Sequence, residues 1–358
     1  MRYYSIEIRN KGELIRPASL ASLKLPETFA STVNGRNLPG ALMVELNLLS
    51  YNYHSFEGSS YVRVWGVSLQ ELAQSNNLSG YDILVKAGMS KGLPLAKPSQ
   101  AGIVAQGKIQ QAFGNWIGTD QTLELQLLPG TGSGIGPRNY SFNWPANTPL
   151  SQAMETVLAV ALPREYRVKM AISQDLKFGA AQWGTYGTLE DFAAAVFKIS
   201  MMSQYQGIVP LSGGKYEGVR ITIKDKTVLV YDGTQDYSTN SYNTPKQILF
   251  EDLIGQPTWM QGNELNFKCV MRADLSVGDY VKLPQGLSSP YVITTPNAAI
   301  PGAPSRNKLT FTGTFKITRM QHFGNSRQPD AASWCTVMNA ALITSSLDAS
   351  NPAQVGGQ

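Results

Sequence analysis

Charged residues are scarce in this chain. Asp, Glu, Lys and Arg make up 15% of its 358 residues, against about 25% in typical soluble domains. A surface with little charge suits a subunit whose faces are covered by neighbours in a permanent assembly. The 33 glycines and 20 prolines would suit a β-rich protein with many turns equally well. Composition therefore leaves both interpretations open, the assembly subunit and the turn-rich β-protein.

Histidine and cysteine are nearly absent. The chain contains two of each, His54, His322, Cys269 and Cys335, and the sequence has no HExxH motif, Cys/His cluster or EF-hand loop. We therefore predict no metal site and no cofactor. His322 alternates within a predicted strand and is expected to be a structural or interface residue. The apolar neighbours of both cysteines favour buried free thiols and leave a disulfide open.

Basic runs and long apolar runs are also missing. The net charge of +5 is spread thinly, which predicts no sequence-specific nucleic-acid binding. The longest apolar stretch, near METVLAVAL, is too short to span a bilayer, so we expect no membrane insertion. The segment MRYYSIEIRN has no apolar secretory region, and we expect the chain to fold in a cytoplasm.

No catalytic residue is predicted. The segment PGTGSGIGP (129–137) has neither GxGxxG spacing nor a GK[ST] ending, so a flexible domain linker is the better interpretation than a phosphate loop. Paired carboxylates would suit a glycosidase. However, Glu190 and Asp191 begin a predicted helix, where acidic side chains are favourable, and Glu251 and Asp252 are expected on a strand-to-turn surface.

Two tryptophans, Trp259 and Trp334, raise a different possibility. Exposed tryptophans in a binding module would stack on sugars. Here each is predicted to lie in a strand near Gly or Pro, where we expect it to anchor a core or a subunit seam.

Alternating apolar residues predict strands in the first and last thirds of the chain. The length predicts two or three domains. The predicted strands are LMVELNLL (42–49), YVRVWGV (61–67), TLELQLL (122–128), ELNFKCVMR (264–272), DYVKLP (279–284), TFKITRMQHF (314–323) and SWCTVMNAA (333–341).

The middle third has the pattern of an α+β unit. Thr148 is expected to cap a helix that has Pro149 in its first position, and TLED (188–191) is expected to cap a second helix. VRITIKDKTVLVYD (219–232) predicts a hairpin that turns at Lys224–Lys226. Met201 and Met202 are expected to lie in the core of this unit.

The two β-rich thirds contain similar segments in the same order. GYDILVKAG (80–88) and GKIQQAFGN (107–115) correspond to GDYVKLPQG (278–286) and GTFKITRMQHFGN (313–325). The interval from Lys-Ile to Phe-Gly-Asn differs by two residues, an even number that keeps side chains on the same sheet face. We therefore expect a duplicated β-domain on either side of the α+β unit. A homotrimer of such a chain would present six similar domains in a ring.

The chain resembles the baseplate hub proteins of contractile-tailed bacteriophages. The resemblance lies in FEDLIGQPTWMQGNELNFKCVMRADLSVGDYVKLP (250–284), in the final hairpin to SWCTVMNAA, and in the corresponding N-terminal segments. It implies a β-rich α+β fold with two tube-like antiparallel β-barrel or sandwich domains around a small α+β domain. The expected domains are 1–136, 137–244 and 245–345, followed by a loose tail at 346–358.

The resemblance also implies a structural role without catalysis. It implies a trimeric ring that adapts a hexameric tail tube to a trimeric central spike, with baseplate wedge and tape-measure proteins as further partners. The expected location is the virion tail baseplate, after assembly in the host bacterial cytoplasm. A tail-associated peptidoglycan hydrolase and a glycan- or receptor-binding tail protein are the alternatives. The sequence assigns no contact residues.

Overall fold

A computed structural model describes residues 2–50, 60–90, 97–129, 138–205, 216, 218–224, 227–234, 244–261, 264–284, 311 and 313–343. Segment 130–137, His54, the hairpin turn at 225–226 and the expected tail lie outside these residues. So do the expected boundaries after 136 and 345, and the domain limits therefore stay a prediction.

The described part of the first third is built mainly of strands, with one short α-helix between the seventh and eighth strands. Its elements are β1 Arg2–Asn10, β2 Glu13–Leu14, β3 Phe29–Ala30, β4 Thr32–Val33, β5 Arg36–Asn37, β6 Met43–Ser50, β7 Ser60–Trp65, α1 Leu69–Ala73, β8 Asp82–Met89, β9 Gly102–Ile117 and β10 Asp120–Pro129.

The middle third alternates helices and strands, and the last third returns to strands. Their elements are β11 Tyr140–Trp144, α2 Leu150–Ala161, β12 Arg167–Ala171, β13 Gln182–Tyr186, α3 Leu189–Tyr205, β14 Arg220–Lys224, β15 Thr227–Tyr231, β16 Lys246–Gln247, β17 Thr258–Gln261, β18 Glu264–Val270, β19 Tyr280–Lys282, β20 Thr314–Asn325 and β21 Trp334–Ile343. The predicted β-rich α+β class is confirmed, with a sandwich-like rather than a closed-barrel arrangement.

One large sheet contains both β-rich thirds. Its strand order is β17-β18-β21-β20-β6-β7-β10-β9-β8-β1-β2, and β19 also pairs with β20. The order β6-β7-β10-β9-β8 in the first third is therefore repeated as β17-β18-β21-β20-β19 in the last third. We call these two sets the first copy and the second copy. The duplication predicted from sequence is present in the strand order.

The same β-bulge marks both copies. In the first copy Gln110 is the extra residue opposite β10, directly after Lys108–Ile109. In the second copy Thr318 is the extra residue opposite β21, directly after Lys316–Ile317. A bulge changes which residues face each other along the rest of a strand pair. The shared bulge therefore places the two Lys-Ile pairs at equivalent positions.

A pair of backbone hydrogen bonds supports this equivalence. Gly80 N–H donates to the Ile109 carbonyl (2.7 Å), and Ile109 N–H donates to the Tyr81 carbonyl (2.9 Å). Gly80 has a φ of +84°, which favours glycine. The second copy repeats both bonds, from Gly278 (φ +89°) to Ile317 (2.8 Å) and from Ile317 to Asp279 (2.9 Å).

Three apolar cores lie along the chain. The first packs under β6, β7, β9 and β10, with Val44, Leu46, Val62, Val64 and Leu125 fully buried. The second lies within the middle third around α2 and α3, and the third lies under β18, β20 and β21. The first core also contains Met271 and Trp334 from the second copy, so the copies share packing as well as a sheet.

Two details of the middle third differ from the predictions. Thr148 does not cap α2. Pro149 is the N-cap residue, and the backbone N–H of Leu150 donates to the Leu176 carbonyl (2.9 Å). Met202 is 55% exposed rather than in the core. The Thr188 cap of α3 is confirmed by a hydrogen bond from Asp191 N–H to Thr188 Oγ1 (3.1 Å).

Gly324 provides a test of the packing between copies. A Cβ at this position would clash with the ring of Trp334, which is held in place by the hydrogen bond from its Nε1–H to the Gly88 carbonyl. We expect Gly324→Ala to lower the free energy of unfolding by about 1–3 kcal/mol through overpacking. Urea titration would measure it. Gly179→Ala is the control, since a Cβ there meets nothing within 4 Å; equal effects would contradict the prediction.

Candidate assembly surfaces

The central seam is the antiparallel pairing that joins the two copies. Residues Met320–Asn325 of β20 face residues Ser50–Glu45 of β6 in six consecutive pairs. On the same strands Gln321 Nε2 donates to Asn47 Oδ1 (2.7 Å). The seam is therefore a continuous strand ladder with side-chain support, and it pairs backbone groups of segments at least 270 residues apart.

Trp334 anchors the final hairpin against the first copy. Its side chain is 2% exposed, its Nε1–H donates to the Gly88 carbonyl at 2.8 Å, and the Arg2 guanidinium lies 6.0 Å from its ring. Trp259 packs against Phe315 at 5.9 Å between ring centroids. The anchor interpretation is confirmed for both tryptophans, and neither is a free sugar-stacking platform.

A buried ionic cluster forms a second link between the copies. Arg272 Nη1 lies 3.3 Å from Asp252 Oδ2, and its Nη2 lies 2.8 Å from Asp274 Oδ2. Gln100 Nε2 and Lys97 Nζ from the first copy reach Asp252 Oδ1 at 3.1 and 3.3 Å. The expectation that Asp252 lies on a surface was wrong: it is 2% exposed, because these donors from the first copy cover it.

The electrostatics of the cluster keep Asp252 ionised. Burial alone would raise the pKa of its carboxyl. Hydrogen bonds from Gln100 and the Leu249 amide, and the charge of Arg272, more than offset this and hold the pKa below its usual range. Sequence reasoning missed Arg272; its one signal is an arginine at the end of the alternating strand 264–272 that precedes Asp274 by two residues.

Removing the Asp252 charge should destabilise the link between copies. The side chain of Arg272 is 4% exposed. Without the Asp252 charge, Asp274 would be the carboxylate that still balances the buried guanidinium. We expect Asp252→Asn to lower the free energy of unfolding by about 3 kcal/mol, measured by urea titration. The neighbouring Glu251→Gln is the control: its side chain is 50% exposed, and about 0–1 kcal/mol is expected. A loss no larger than the control would refute this role.

His322 lies within the central seam. It faces Leu48 across the strand pair, is 1% exposed, and places Nδ1 3.0 Å from Thr336 Oγ1. Burial lowers its pKa to about 4, so the neutral ring is the form that packs here. The predicted structural role is confirmed.

The seam should weaken on mild acidification. Unfolded histidine has a pKa near 6.5, so between pH 6.5 and about 4 the unfolded chain binds a proton that the folded chain does not. The free energy of unfolding should fall by about 3 kcal/mol across this window as pH decreases. Urea titrations at several pH values would show the slope. His322→Gln should remove it and His54→Gln should keep it; an unchanged slope in His322→Gln would contradict the assignment.

The remaining candidates for chemistry have structural roles. Glu190 and Asp191 lie in the first turn of α3, as predicted. Cys269 and Cys335 are buried and free, which confirms the favoured interpretation, and burial raises the pKa of both thiols. Among the described residues, no group of three or more His, Cys, Asp or Glu is placed to hold a metal ion. No helix in that part of the chain is long and apolar enough to cross a membrane.

Lys316 connects the middle third to the second copy. It is 3% exposed, and its Nζ lies 4.1 Å from the ring centroid of Tyr231 and 5.6 Å from that of Tyr280. Desolvated cation–π contacts of this kind stabilise by about 2 kcal/mol. The equivalent Lys108 instead makes a half-exposed ion pair with Asp82 (3.1 Å). No signal in the sequence separates these two roles.

The side of the sheet opposite the apolar cores carries paired charges. We call it the polar face and define it by Glu45, Asn47, Tyr61, Arg63 and Glu124. Arg63 lies directly between Glu45 and Glu124 in the strand register, at 3.4 and 3.1 Å, and its guanidinium lies 5.5 Å from the Tyr61 ring. Cross-strand pairs of opposite charge stabilise a sheet, and Arg63, the one cation of the defined set, is paired with both of its carboxylates.

Comparison with known proteins gives structural likenesses alone. No protein-family model matches the chain, and no curated protein matches it. Among solved structures, a tail protein of Neisseria meningitidis MC58 is 10% identical, with a TM-score of 0.48 over 97% of this chain and 99% of that one. The 43 kDa tail protein of prophage MuSo2 from Shewanella oneidensis is 9% identical, with a TM-score of 0.47 over 94% and 96%.

A type VI secretion system component of Escherichia coli, itself structurally similar to bacteriophage T4 tail proteins, is also similar to this chain. It is 12% identical, with a TM-score of 0.43 over 85% of this chain and 74% of that one. At these identities and scores the likenesses assign no function to this chain.

Proposed function

We propose that this chain is a structural hub of a contractile phage tail baseplate. In this role three copies form a ring that joins the hexameric tail tube to the trimeric central spike. The observation that carries the proposal is the repeated strand order, in which β6-β7-β10-β9-β8 and β17-β18-β21-β20-β19 lie in one sheet. The sequence resemblance to baseplate hub proteins, in 250–284 and the final hairpin, supports the same role.

The duplication explains how one ring could match a six-fold partner on one side and a three-fold partner on the other. Three chains with two similar β-units each supply six modules, which match a six-fold partner. The middle third occurs once per chain, so three of them match a three-fold partner. Lys316 fixes the middle third to the second copy through Tyr231, which gives the two ends of each chain a defined relation.

The polar face is suited to the wall of a conduit. Protein surfaces that hold a nucleic-acid backbone do so with Lys and Arg that neutralise phosphates. On this sheet Arg63 is shared by Glu45 and Glu124, and Lys86 lies 3.0 Å from Glu7. Because these cations are already paired, DNA moving past the face would meet little net attraction. We propose that this face lines the lumen.

The proposal places the protein in the virion tail baseplate, after assembly in the host cytoplasm. Its partners are a second and third copy of the chain, the tail tube protein, the central spike protein, and the wedge and tape-measure proteins. The role needs no cofactor and no catalytic residue. The two tryptophans that motivate the glycan-binding alternative, Trp259 and Trp334, pack against protein, which favours the hub over that alternative.

The mass in solution tests the proposal. Light scattering over a range of protein concentrations should give three times the chain mass of 39.0 kDa. The ring should bind a tube-forming protein and a spike protein at opposite ends, visible by electron microscopy of the mixtures. The heat-denatured chain is the control for non-specific binding. A monomer that stays monomeric when both partners are added would overturn the proposal.

A further inference from the structure

The three-stranded sheet of the middle third has an open edge at β12. Its strand order is β12-β15-β14, and among the described residues β12 pairs with β15 alone. The N–H of Asp232, directly after β15, donates to the Ala171 carbonyl (3.3 Å), so Ala171 directs its backbone groups toward β15. Because this direction alternates along a strand, Val168 and Met170 present their N–H and C=O groups to the open side. Such groups favour pairing with another strand.

The two faces of β12 differ in chemistry. Arg167 and Lys169 project to the solvent side, where both are exposed. Val168 and Met170 project to the other side, where they are half-buried and pack against the second core. The edge strand therefore combines two cations at alternate positions with two apolar side chains that are still partly uncovered.

The cations of β12 have no carboxylate partner within the described part of the chain. Neither Arg167 nor Lys169 forms an ion pair with a described Asp or Glu. In the strand register Arg167 lies beside Thr227 and Lys169 lies beside Leu229, and these neighbours carry no charge. On the polar face, by contrast, Arg63 is held between two carboxylates. The edge of the middle third thus keeps charge that the large sheet pairs.

This charge restricts what can pair with the edge. Basic residues on an edge strand oppose pairing with a strand of like charge. A second β12 would bring two further cations onto the face that already carries Arg167 and Lys169, so a second copy of this edge is rejected. A strand with carboxylates at alternate positions would be attracted instead.

We propose that β12 receives an added strand from a partner protein, an extended acidic segment in which carboxylates alternate with apolar residues. The carboxylates of this segment lie beside Arg167 and Lys169. Its apolar side chains lie beside Val168 and Met170 and extend the cover of the second core. In such strand addition, main-chain hydrogen bonds supply affinity and alternate side chains supply specificity. The site belongs to the middle third by itself and does not depend on the proposed ring.

A labelled peptide tests the site on the full chain. The probe is a short fluorescein-labelled peptide in which Glu alternates with Val. Fluorescence anisotropy should show saturable binding that weakens as the salt concentration rises. A peptide of the same length with Lys in place of each Glu should not bind. Failure of the acidic peptide to saturate, or equal binding of both peptides, would overturn the proposal.

Charge reversal on β12 tests the assigned cations. Arg167→Glu with Lys169→Glu should raise the dissociation constant of the acidic peptide about tenfold or more, since each attractive cross-strand pair becomes repulsive. The same variant should bind the Lys/Val peptide, which also shows that it is folded. The matched control, Lys198→Glu with Lys268→Glu, makes the same charge change at exposed residues of α3 and β18. Equal losses in both variants would indicate attraction by overall charge and contradict the site.

Backbone methylation separates strand addition from charge attraction. Two versions of the acidic peptide carry N-methyl groups, one on every Glu and the other on every Val, and both keep the same charges. The N–H groups of one set face β12 and those of the other set face solvent. One version should therefore lose binding and the other should keep it. Binding by both versions, or by neither, is incompatible with an added strand.

Amide hydrogen exchange locates the added strand. Exchange at Val168 and Met170 should slow about tenfold or more with the acidic peptide bound, because their N–H groups become donors in a ladder. Ile221 on β14, at the far side of the sheet, is the internal control and should keep its rate. Protection that appears on β14 and not on β12 would refute the assignment of the edge.

Discussion

Backbone hydrogen bonds between β20 and β6 hold together two parts of the chain that are far apart in sequence. The six residue pairs of this seam make one sheet of the two copies, and the other features depend on it. Side chains alternate along each strand, and the continuous register of the seam keeps this alternation in phase, so the apolar residues of both copies fall on one side and the paired charges of the polar face fall on the other. Trp334 and the Arg272 cluster fix positions that the seam has already brought together.

The shared bulge is the second constraint. A one-residue difference in register would turn every later side chain to the other face of the sheet. Gln110 and Thr318 occupy the same place in each copy, so the strands beyond them present equivalent faces and edges.

The two copies differ at the places where each contacts a part of the chain that the other does not contact. The first copy inserts α1 between β7 and β8, and Gly114 packs on Leu72 of that helix. The second copy buries Lys316 against Tyr231 of the middle third, whereas Lys108 is half-exposed. These differences separate the copy that supports the middle third through Lys316 from the copy whose equivalent lysine is half-exposed.

Sequence patterns predicted the parts of this fold that depend on alternation and local turns. The strands around Leu46, Val64, Leu125 and Phe267, the Thr188 cap and the repeated Phe-Gly-Asn segments are of this kind. Long-range contacts were not predictable, because they depend on which segments meet. Asp252 belongs to an acidic pair just before a Leu-Ile-Gly turn and has the pattern of a surface residue, yet Gln100 and Arg272 enclose it.

The central claim is that the two β-copies act as interchangeable modules of one ring. Electron cryo-microscopy of the assembled protein, viewed along the ring axis and reconstructed without imposed symmetry, tests it most directly. The account predicts true three-fold symmetry with six similar β-modules around a lumen lined by the polar face, and three middle units outside this repeat. A particle in which the two copies lie at different radii, or in which the polar face is buried away from the axis, would contradict it.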